Sequence, residues 1–316
     1  MSEIGTIILQ SAKSAIELAL FILLPIMVVM MALMKLLEAK GVLAFVAKLL
    51  SPVLEPLGVP GIGVFAVLQS LLVSFAAPVA TLSVMEHDGT SRRRIAATLA
   101  MVLTMSQANV VFPLLTVGLN LWVTFATSVV GGAAAATLTY HFFSRAKDLE
   151  VEKTANGTMP PQVEGEAESQ GVLNSLVNGA KAGVKLVLNS IPILFVAICL
   201  VNGLKATGII SFVAGLLSPY LIKIGLSGIA VLPVATKFLA GGTAMMGVIV
   251  DLVRDGTMTS LEINRLAGLA INPLDLVGVT VLVSPGPRVR SVMLPAILGA
   301  IVGVVIRFVL HLIIFK

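Results

Sequence analysis

The sequence contains few charged, aromatic and cysteine residues. Only 12% of its 316 residues are charged and 5% are aromatic, whereas 57% are hydrophobic. A soluble domain has roughly 25% charged residues and needs a polar exterior whatever its size. The composition therefore excludes a water-soluble globular protein and predicts an integral membrane protein of the all-α, polytopic class.

Cysteine and histidine are scarce, which limits the chemistry available to the chain. The single cysteine, Cys199, lies within an apolar run, so a disulfide framework and a cysteine metal cluster are both excluded. The three histidines are unpaired in sequence, and no hydrolase triad or phosphate-binding loop is present. We therefore predict no enzymatic activity, no metal site and no bound cofactor.

The net charge of +5 reflects basic residues that stand mostly at the ends of apolar segments. Basic residues in that position set membrane topology under the positive-inside rule. We expect a multi-pass protein of the cell inner membrane whose partners are the lipid bilayer and a small polar solute, with no nucleic acid. A homo-oligomer is left open. No cleavable signal peptide is expected, because the first apolar run is long enough to stay in the bilayer.

One sequence unit occurs twice, 167 residues apart. Residues 41–52 return as residues 208–219 with eight of twelve positions identical, and Asp88-Gly89-Thr90 returns as Asp255-Gly256-Thr257. Internal repeats are the usual architecture of membrane transporters, which place their binding site where the copies meet. The sequence therefore predicts two homologous membrane repeats with a site between them.

A polar stretch separates the two copies. Residues 144–180 are rich in Gly, Pro, Glu and Ser, so they cannot bury enough apolar surface to stay ordered. We predict a first repeat over 1–143, a flexible charged linker over 144–180 and a second repeat over 181–316. Positive charge in the linker and in the loop at 92–94 indicates that this face is cytoplasmic.

Each copy contains five apolar segments. The second is short, and we predict an interfacial or re-entrant helix there, since about 20 apolar residues are needed to cross. The third is interrupted by Pro78 in the first copy and by Gly241-Gly242 in the second, which predicts broken helices lining a protein interior. An ordinary kinked helix is the alternative. The segments run over 14–37, 42–57, 61–85, 94–118 and 120–143, and over 182–206, 209–224, 228–253, 262–284 and 288–315.

The relative orientation of the copies depends on how many of the first three segments cross the membrane. Two crossings would place both copies the same way up, whereas three would relate them by a two-fold axis in the membrane plane. Basic residues fit either arrangement. We favour the inverted one.

Two runs of residues resemble a known family. Residues 232–256, with a Leu-Pro, a small-residue turn and a downstream Asp, look like the gate, or nucleoside-recognition, segment of spore maturation B membrane proteins. Residues 76–86 are similar to the spore maturation A counterpart. The chain thus resembles an A-type and a B-type half fused into one polypeptide, and related gate modules occur in ferrous iron permeases and concentrative nucleoside transporters. The resemblance implies a membrane protein with a polar site in its gate segments.

The chain departs from that family pattern in two places. The Asn-rich stretch of the A-type half is reduced to Gln69, Ser70 and Ser74, and the polar segment of the B-type half appears only as residues 270–275. The chemistry of the site is therefore expected to differ more than its location.

Lys237 is the most unusual residue, because it falls about ten residues into an apolar segment. A charge at bilayer centre costs about 2.5–3.5 kcal/mol on insertion scales, so it should face the interior and have a partner. Asp275 is an acid in the middle of the next segment. We predict a Lys237–Asp275 ion pair, which serves either a functional or a packing role.

Uncharged polar residues occupy the equivalent segments of the first copy. Amides and hydroxyls of this kind either join helices, at about 0.6 kcal/mol each, or face one cavity and bind a solute. The candidate solute-binding residues are Gln69, Ser70, Ser74, Ser106, Gln107, Asn109, Thr236, Lys237, Gly241, Gly242, Thr243, Asn272 and Asp275.

These observations favour a membrane transporter or permease that moves a small polar or anionic solute through a polar site between two repeats. A nucleoside-like molecule is one candidate for this solute. The alternative is a non-transporting envelope scaffold or partner-binding protein of the spore-maturation type. In the alternative, the buried polar residues would be structural.

Overall fold

The structure is a computed structural model that describes residues 3–144, 171–208 and 226–316, together with 212, 219 and 221–223. The described residues form helices, turns and short connections, with no strand among them. The predicted all-α class is confirmed.

Long apolar helices dominate the described part of the chain. Five of them are long and apolar enough to cross a membrane: Gly5–Ala39, Arg92–Leu115, Leu121–Phe143, Val172–Val196 and Met293–Ile314. A sixth span is formed if Val42–Leu57 and Gly61–Leu72, which meet at 111°, are counted together. That sharp bend follows the short second segment and fits its prediction as an interfacial or re-entrant helix.

The first copy runs through eight α-helices in the described residues. They are α1 Glu3–Glu17, α2 Leu24–Ala39, α3 Val42–Leu54, α4 Gly61–Leu72, α5 Pro78–His87, α6 Arg92–Thr104, α7 Ala108–Leu115 and α8 Leu121–Leu138. A π-helical stretch joins α1 to α2, so the first segment is one continuous rod.

The second copy repeats this order. Its described helices are α9 Val172–Ala206, α10 Val231–Ala240, α11 Gly242–Arg254, α12 Ser260–Ala270, α13 Leu276–Leu282, α14 Pro287–Ser291 and α15 Met293–Ile314. Segment by segment, α9 corresponds to α1–α2, the α10–α11 pair to α4–α5, the α12–α13 pair to α6–α7, and α15 to α8.

Local sequence explains where the broken third segments restart. Pro78 is the first residue of α5, a position where its missing N–H costs nothing and its fixed φ suits a helix. Gly241 separates α10 from α11 with φ 87°, a conformation that L side chains rarely adopt. The predicted interruption of both third segments is confirmed.

The repeated Asp-Gly-Thr turns also follow from sequence. Gly89 and Gly256 have φ of 83° and 67°, which closes α5 and α11. The next helices then begin at side-chain caps. Ser91 accepts from the Arg94 backbone, and Thr259 forms a capping box with Glu262.

The first segments of the two copies pack against each other in opposite directions. Gly183 of α9 lies against α2, where Met27 O would stand 2.7 Å from a Cβ on this glycine. Further along α9, the Asn202 side chain donates to Ser11 Oγ at 3.0 Å. Later residues of α9 therefore meet earlier residues of the first segment.

The fifth segments behave in the same way. Near the start of α15, Gly299 contacts Thr139, and near its end His311 hydrogen-bonds Thr127 Oγ1 at 2.9 Å. Since both pairs of equivalent helices run antiparallel, the two copies are inverted with respect to one another. The favoured orientation agrees with the structure.

The two clusters of buried apolar side chains each draw on both copies. One includes Leu18 and Val187, and the other includes Met101 and Ala300. Among the described residues, neither copy therefore encloses a core of its own. Packing across the two copies holds the fold together.

One predicted boundary is corrected by the structure. Helix α9 begins at Val172, so residues 172–180, which we predicted to be flexible linker, are helical. They are helical because they extend the rod that packs along α2. The remainder of the linker, 145–170, and most of the short segment 209–224 lie outside the described residues.

Candidate functional site

The fourth segments are broken as well as the third, which the sequence analysis did not predict. In the first copy α6 ends at Thr104 and α7 begins at Ala108. In the second copy α12 ends at Ala270 and α13 begins at Leu276. The breaks at 105–107, 241 and 271–275 therefore place helix ends in the protein interior, where their free backbone groups need polar partners, whereas the break at 73–77 is partly exposed.

The predicted ion pair is present in the second copy. Lys237 Nζ lies 2.7 Å from Asp275 Oδ2, and the two side chains are 1% and 2% exposed. The same ammonium donates to Asn272 O at 2.6 Å. Asp275 also caps α13 by accepting from Gly278 N at 2.7 Å. Both charges are therefore partnered, as a buried pair requires.

A second polar contact joins the two copies. Gln107, the N-cap residue of α7, packs on Gly242 at the start of α11, where its amide would stand 3.0 Å from an added Cβ. Two residues further on, Asn109 Nδ2 donates to Thr243 Oγ1 at 3.1 Å. The Asn109 Oδ1 atom is buried without a partner among the described residues. These four predicted residues therefore meet at the interface between the repeats.

Ser106 belongs to a buried network next to that contact. Its hydroxyl lies 2.6 Å from Ser128 Oγ on α8 and accepts from Arg307 at 2.7 Å. Arg307, on α15, is fully buried and also donates to Thr104 O and Ile271 O. Arg307 was not among the predicted site residues, because basic residues were interpreted as markers of segment ends.

The other predicted residues are buried but make local contacts. Gln69 accepts from Thr81 within the first copy at 2.7 Å, and Thr236 donates back to its own helix. Ser70 and Ser74 are buried, and the Ser70 hydroxyl has no partner among the described residues. The structure does not join these residues to the inter-repeat contacts by a described hydrogen bond.

Two further buried polar residues escaped the sequence analysis. His311 is fully buried and hydrogen-bonds Asn264 O as well as Thr127. Glu86 accepts from the backbone N–H groups of Arg288 and Val289, and so caps α14. The signal for Glu86 was a carboxylate near the end of an apolar segment.

The central helix ends favour electron-rich groups. Among the described residues, the N-cap residues of α7 and α11, Gln107 and Gly241, form no side-chain cap, whereas Asp275 caps α13. A helix N-terminus carries about half a positive charge, and its free N–H groups bind acceptors. Free N–H groups at these helix ends can thus donate hydrogen bonds to an acceptor atom. Among the described residues, no three His, Cys, Asp or Glu side chains are grouped to hold a metal ion.

Comparison with known proteins identifies part of the chain. Residues 20–121 match the Gate family model, described as nucleoside recognition. The gate-type resemblance drawn from the sequence is therefore confirmed. Among proteins with curated descriptions, none matches the sequence.

The fold is similar to solved structures of CNTnw, a concentrative nucleoside transporter. A doubly substituted variant in an outward-facing state gives a TM-score of 0.68 at 18% identity, covering 98% of this chain and 83% of that one. An inward-facing substrate-bound state gives 0.68 at 16% identity, covering 99% and 83%. A variant in an intermediate state gives 0.70 at 17% identity, covering 92% and 75%.

These identities establish the likeness of fold alone. Together with the matched segment, they show a multi-pass membrane protein that has the fold of the CNTnw structures and carries a gate-type nucleoside-recognition segment in its first half.

Proposed function

We propose that the protein moves a small polar or anionic solute, nucleoside-like in size and polarity, across the cell inner membrane. The solute would bind where the broken helices of the two repeats meet. The residues in direct contact would be Gln107, Asn109 and Thr243, with Lys237 and Asp275 as the titratable pair.

The contact of Gln107 and Asn109 with the start of α11 carries this proposal. It brings polar side chains and uncapped helix N-termini from opposite repeats to one place inside an apolar protein. Polar groups at membrane depth are costly, so they mark solute pathways in many membrane proteins. The unpartnered Asn109 Oδ1 is ready to accept from a ligand N–H or O–H.

Comparison with the transporter structures supports movement as well as binding. The similar structures include outward-facing, intermediate and inward-facing states, and the inward-facing one is described as substrate-bound. Transporters of inverted repeats alternate access by moving one part against another around a fixed site. The inverted repeats of this chain fit that mechanism.

Cysteine accessibility tests the proposed site. In a protein with Cys199→Ala, we expect Gln107→Cys to react with a membrane-impermeant thiol reagent from at least one face of a proteoliposome. Saturating nucleoside or nucleotide should slow the reaction. Ala96→Cys is the matched control, because Ala96 is fully buried on α6 away from the turn and should not react.

Uptake completes the test. Proteoliposomes should accumulate the radiolabelled solute that protects Gln107→Cys, and the Asn109→Ala variant should accumulate less at equal protein content. A Gln107→Cys side chain that is unreactive from both faces, with no uptake of any nucleoside or nucleotide, would rule out the proposal.

A further inference from the structure

Arg307 lies deep in the membrane part of the protein. It is seven residues from the end of α15, so about 10 Å of helix separates it from that end. A cation at this depth must face the protein interior and be satisfied there. Its two terminal nitrogens meet that condition through Thr104 O and Ser106 Oγ of the first copy and Ile271 O of the second, whereas Nε has no partner among the described residues.

The partners of Arg307 are helix ends. Thr104 is the last residue of α6, and Ile271 is the C-cap of α12. The final carbonyls of a helix have no partner within it, and each C-terminus carries about half a negative charge. Two such ends together offer about one negative charge, which matches the single positive charge of the guanidinium.

The neighbouring helix leaves room for this side chain. A Cβ on Gly131 of α8 would overlap the aliphatic stem of Arg307 and stand 2.6 Å from Gly303 O. Any larger residue at 131 would therefore push α15 away and withdraw the guanidinium from the two turns. The packing of α8 on α15 is thus fitted to Arg307.

We propose that Arg307 is a positioning residue that fixes the two fourth-segment turns to each other. The first turn carries Ser106 and Gln107, and the second carries Asn272 and Asp275. By holding both, Arg307 makes the polar residues of the two inverted copies move as one body. This inference concerns the position of the turns and stands whether or not a solute binds.

Hydrogen exchange of the full chain in nanodiscs tests the link. Arg307→Met should speed amide exchange at both turns, 105–106 and 271–272, by about tenfold or more. A tenfold change corresponds to about 1.4 kcal/mol, within the cost of leaving a buried carbonyl unpaired. Arg307→Lys keeps a cation for the two carbonyls but loses the second nitrogen, so its exchange should be intermediate.

A double-mutant cycle separates positioning from general loosening. Ser128→Ala removes a hydroxyl that hydrogen-bonds Ser106 in the first turn and has no described hydrogen bond to the second turn. In the wild type it should speed exchange at 271–272 as well as at 105–106, whereas with Arg307→Met it should act at 105–106 alone. Thr137→Ala, on the same helix and bonded to its own backbone, should affect neither turn.

Two results would overturn the proposal: no effect of Ser128→Ala at 271–272 in the wild type, or an equal effect there with and without Arg307. If Arg307→Met does not fold, the cycle is run with Arg307→Lys. A smaller effect of Ser128→Ala on exchange at 271–272 in that background supports the proposal, and an unchanged effect overturns it.

Discussion

Breaking the Lys237–Asp275 pair from one side should destabilise the protein more than removing both charges. Lys237→Met keeps the aliphatic stem but leaves the carboxylate with one described donor, Gly278 N. Because the carboxylate is only 2% exposed, water cannot replace the ammonium. One-sided removal of a buried partner costs about 3–5 kcal/mol.

The double variant Lys237→Met/Asp275→Asn removes both charges and keeps the cap on α13, since Asn caps helices about as well as Asp. The remaining loss is the ammonium that donates to Asn272 O. An orphaned buried acceptor costs about 1–3 kcal/mol. We therefore expect the double variant to be more stable than Lys237→Met alone.

Thermal unfolding of purified protein measures both effects. With about 2–4 °C per kcal/mol for domains of 150–250 residues, Lys237→Met should lower Tm by roughly 10 °C and the double variant by less. The exposed pair Lys35–Glu38 is the matched control, and Lys35→Met/Glu38→Gln should change the free energy of unfolding by about 0–1 kcal/mol.

Two outcomes would refute this reasoning. A Tm for Lys237→Met within the range of the Lys35–Glu38 control would mean that the ammonium is not buried in a pair. A double variant no more stable than Lys237→Met would mean that the unpaired carboxylate is not the source of the loss.

Two further predictions concern the scaffold. Gly183→Leu places side-chain atoms within 2.7 Å of Met27 O, so it should cost about 1–3 kcal/mol in thermal unfolding. On the same helix, a Cβ at Gly203 meets no described atom within 4 Å, so Gly203→Leu should be close to neutral. Equal Tm values for the two would contradict the close packing of α9 on α2. Thr259→Ala removes the capping box with Glu262 and should cost about 1 kcal/mol by the same measurement, with Thr259→Ser close to wild type. A Thr259→Ser variant as unstable as Thr259→Ala would argue against the cap.

Much of the architecture could be predicted because it rests on strong local signals. Hydropathy gives the spans, and a constant offset of 167 residues gives the two copies. Pro78 and Gly241 mark the broken third segments, since each imposes a backbone conformation that ends a helix. The Lys237–Asp275 pair could be predicted because an isolated charge in an apolar run needs an opposite charge nearby.

The parts that could not be predicted depend on tertiary contacts. In the second copy, the break in the fourth segment had a sequence signal, because Pro273 disfavours helical backbone at Asn272. In the first copy, the break follows Thr104, and no proline or glycine lies in residues 105–107. Arg307 had no acidic partner to predict in sequence. Its partners are backbone carbonyls that exist only where those two helices end.

The antiparallel packing of equivalent helices puts equivalent loops on opposite sides of the bilayer. Residues 92–94 are three arginines, and the residues 167 positions later, 259–261, are Thr-Ser-Leu. Basic residues stay on the cytoplasmic side during insertion. A duplicated unit that is inserted in both orientations can therefore keep this triplet in only one copy. Moving the triplet from 92–94 to 259–261 should favour insertion of the protein in the opposite orientation.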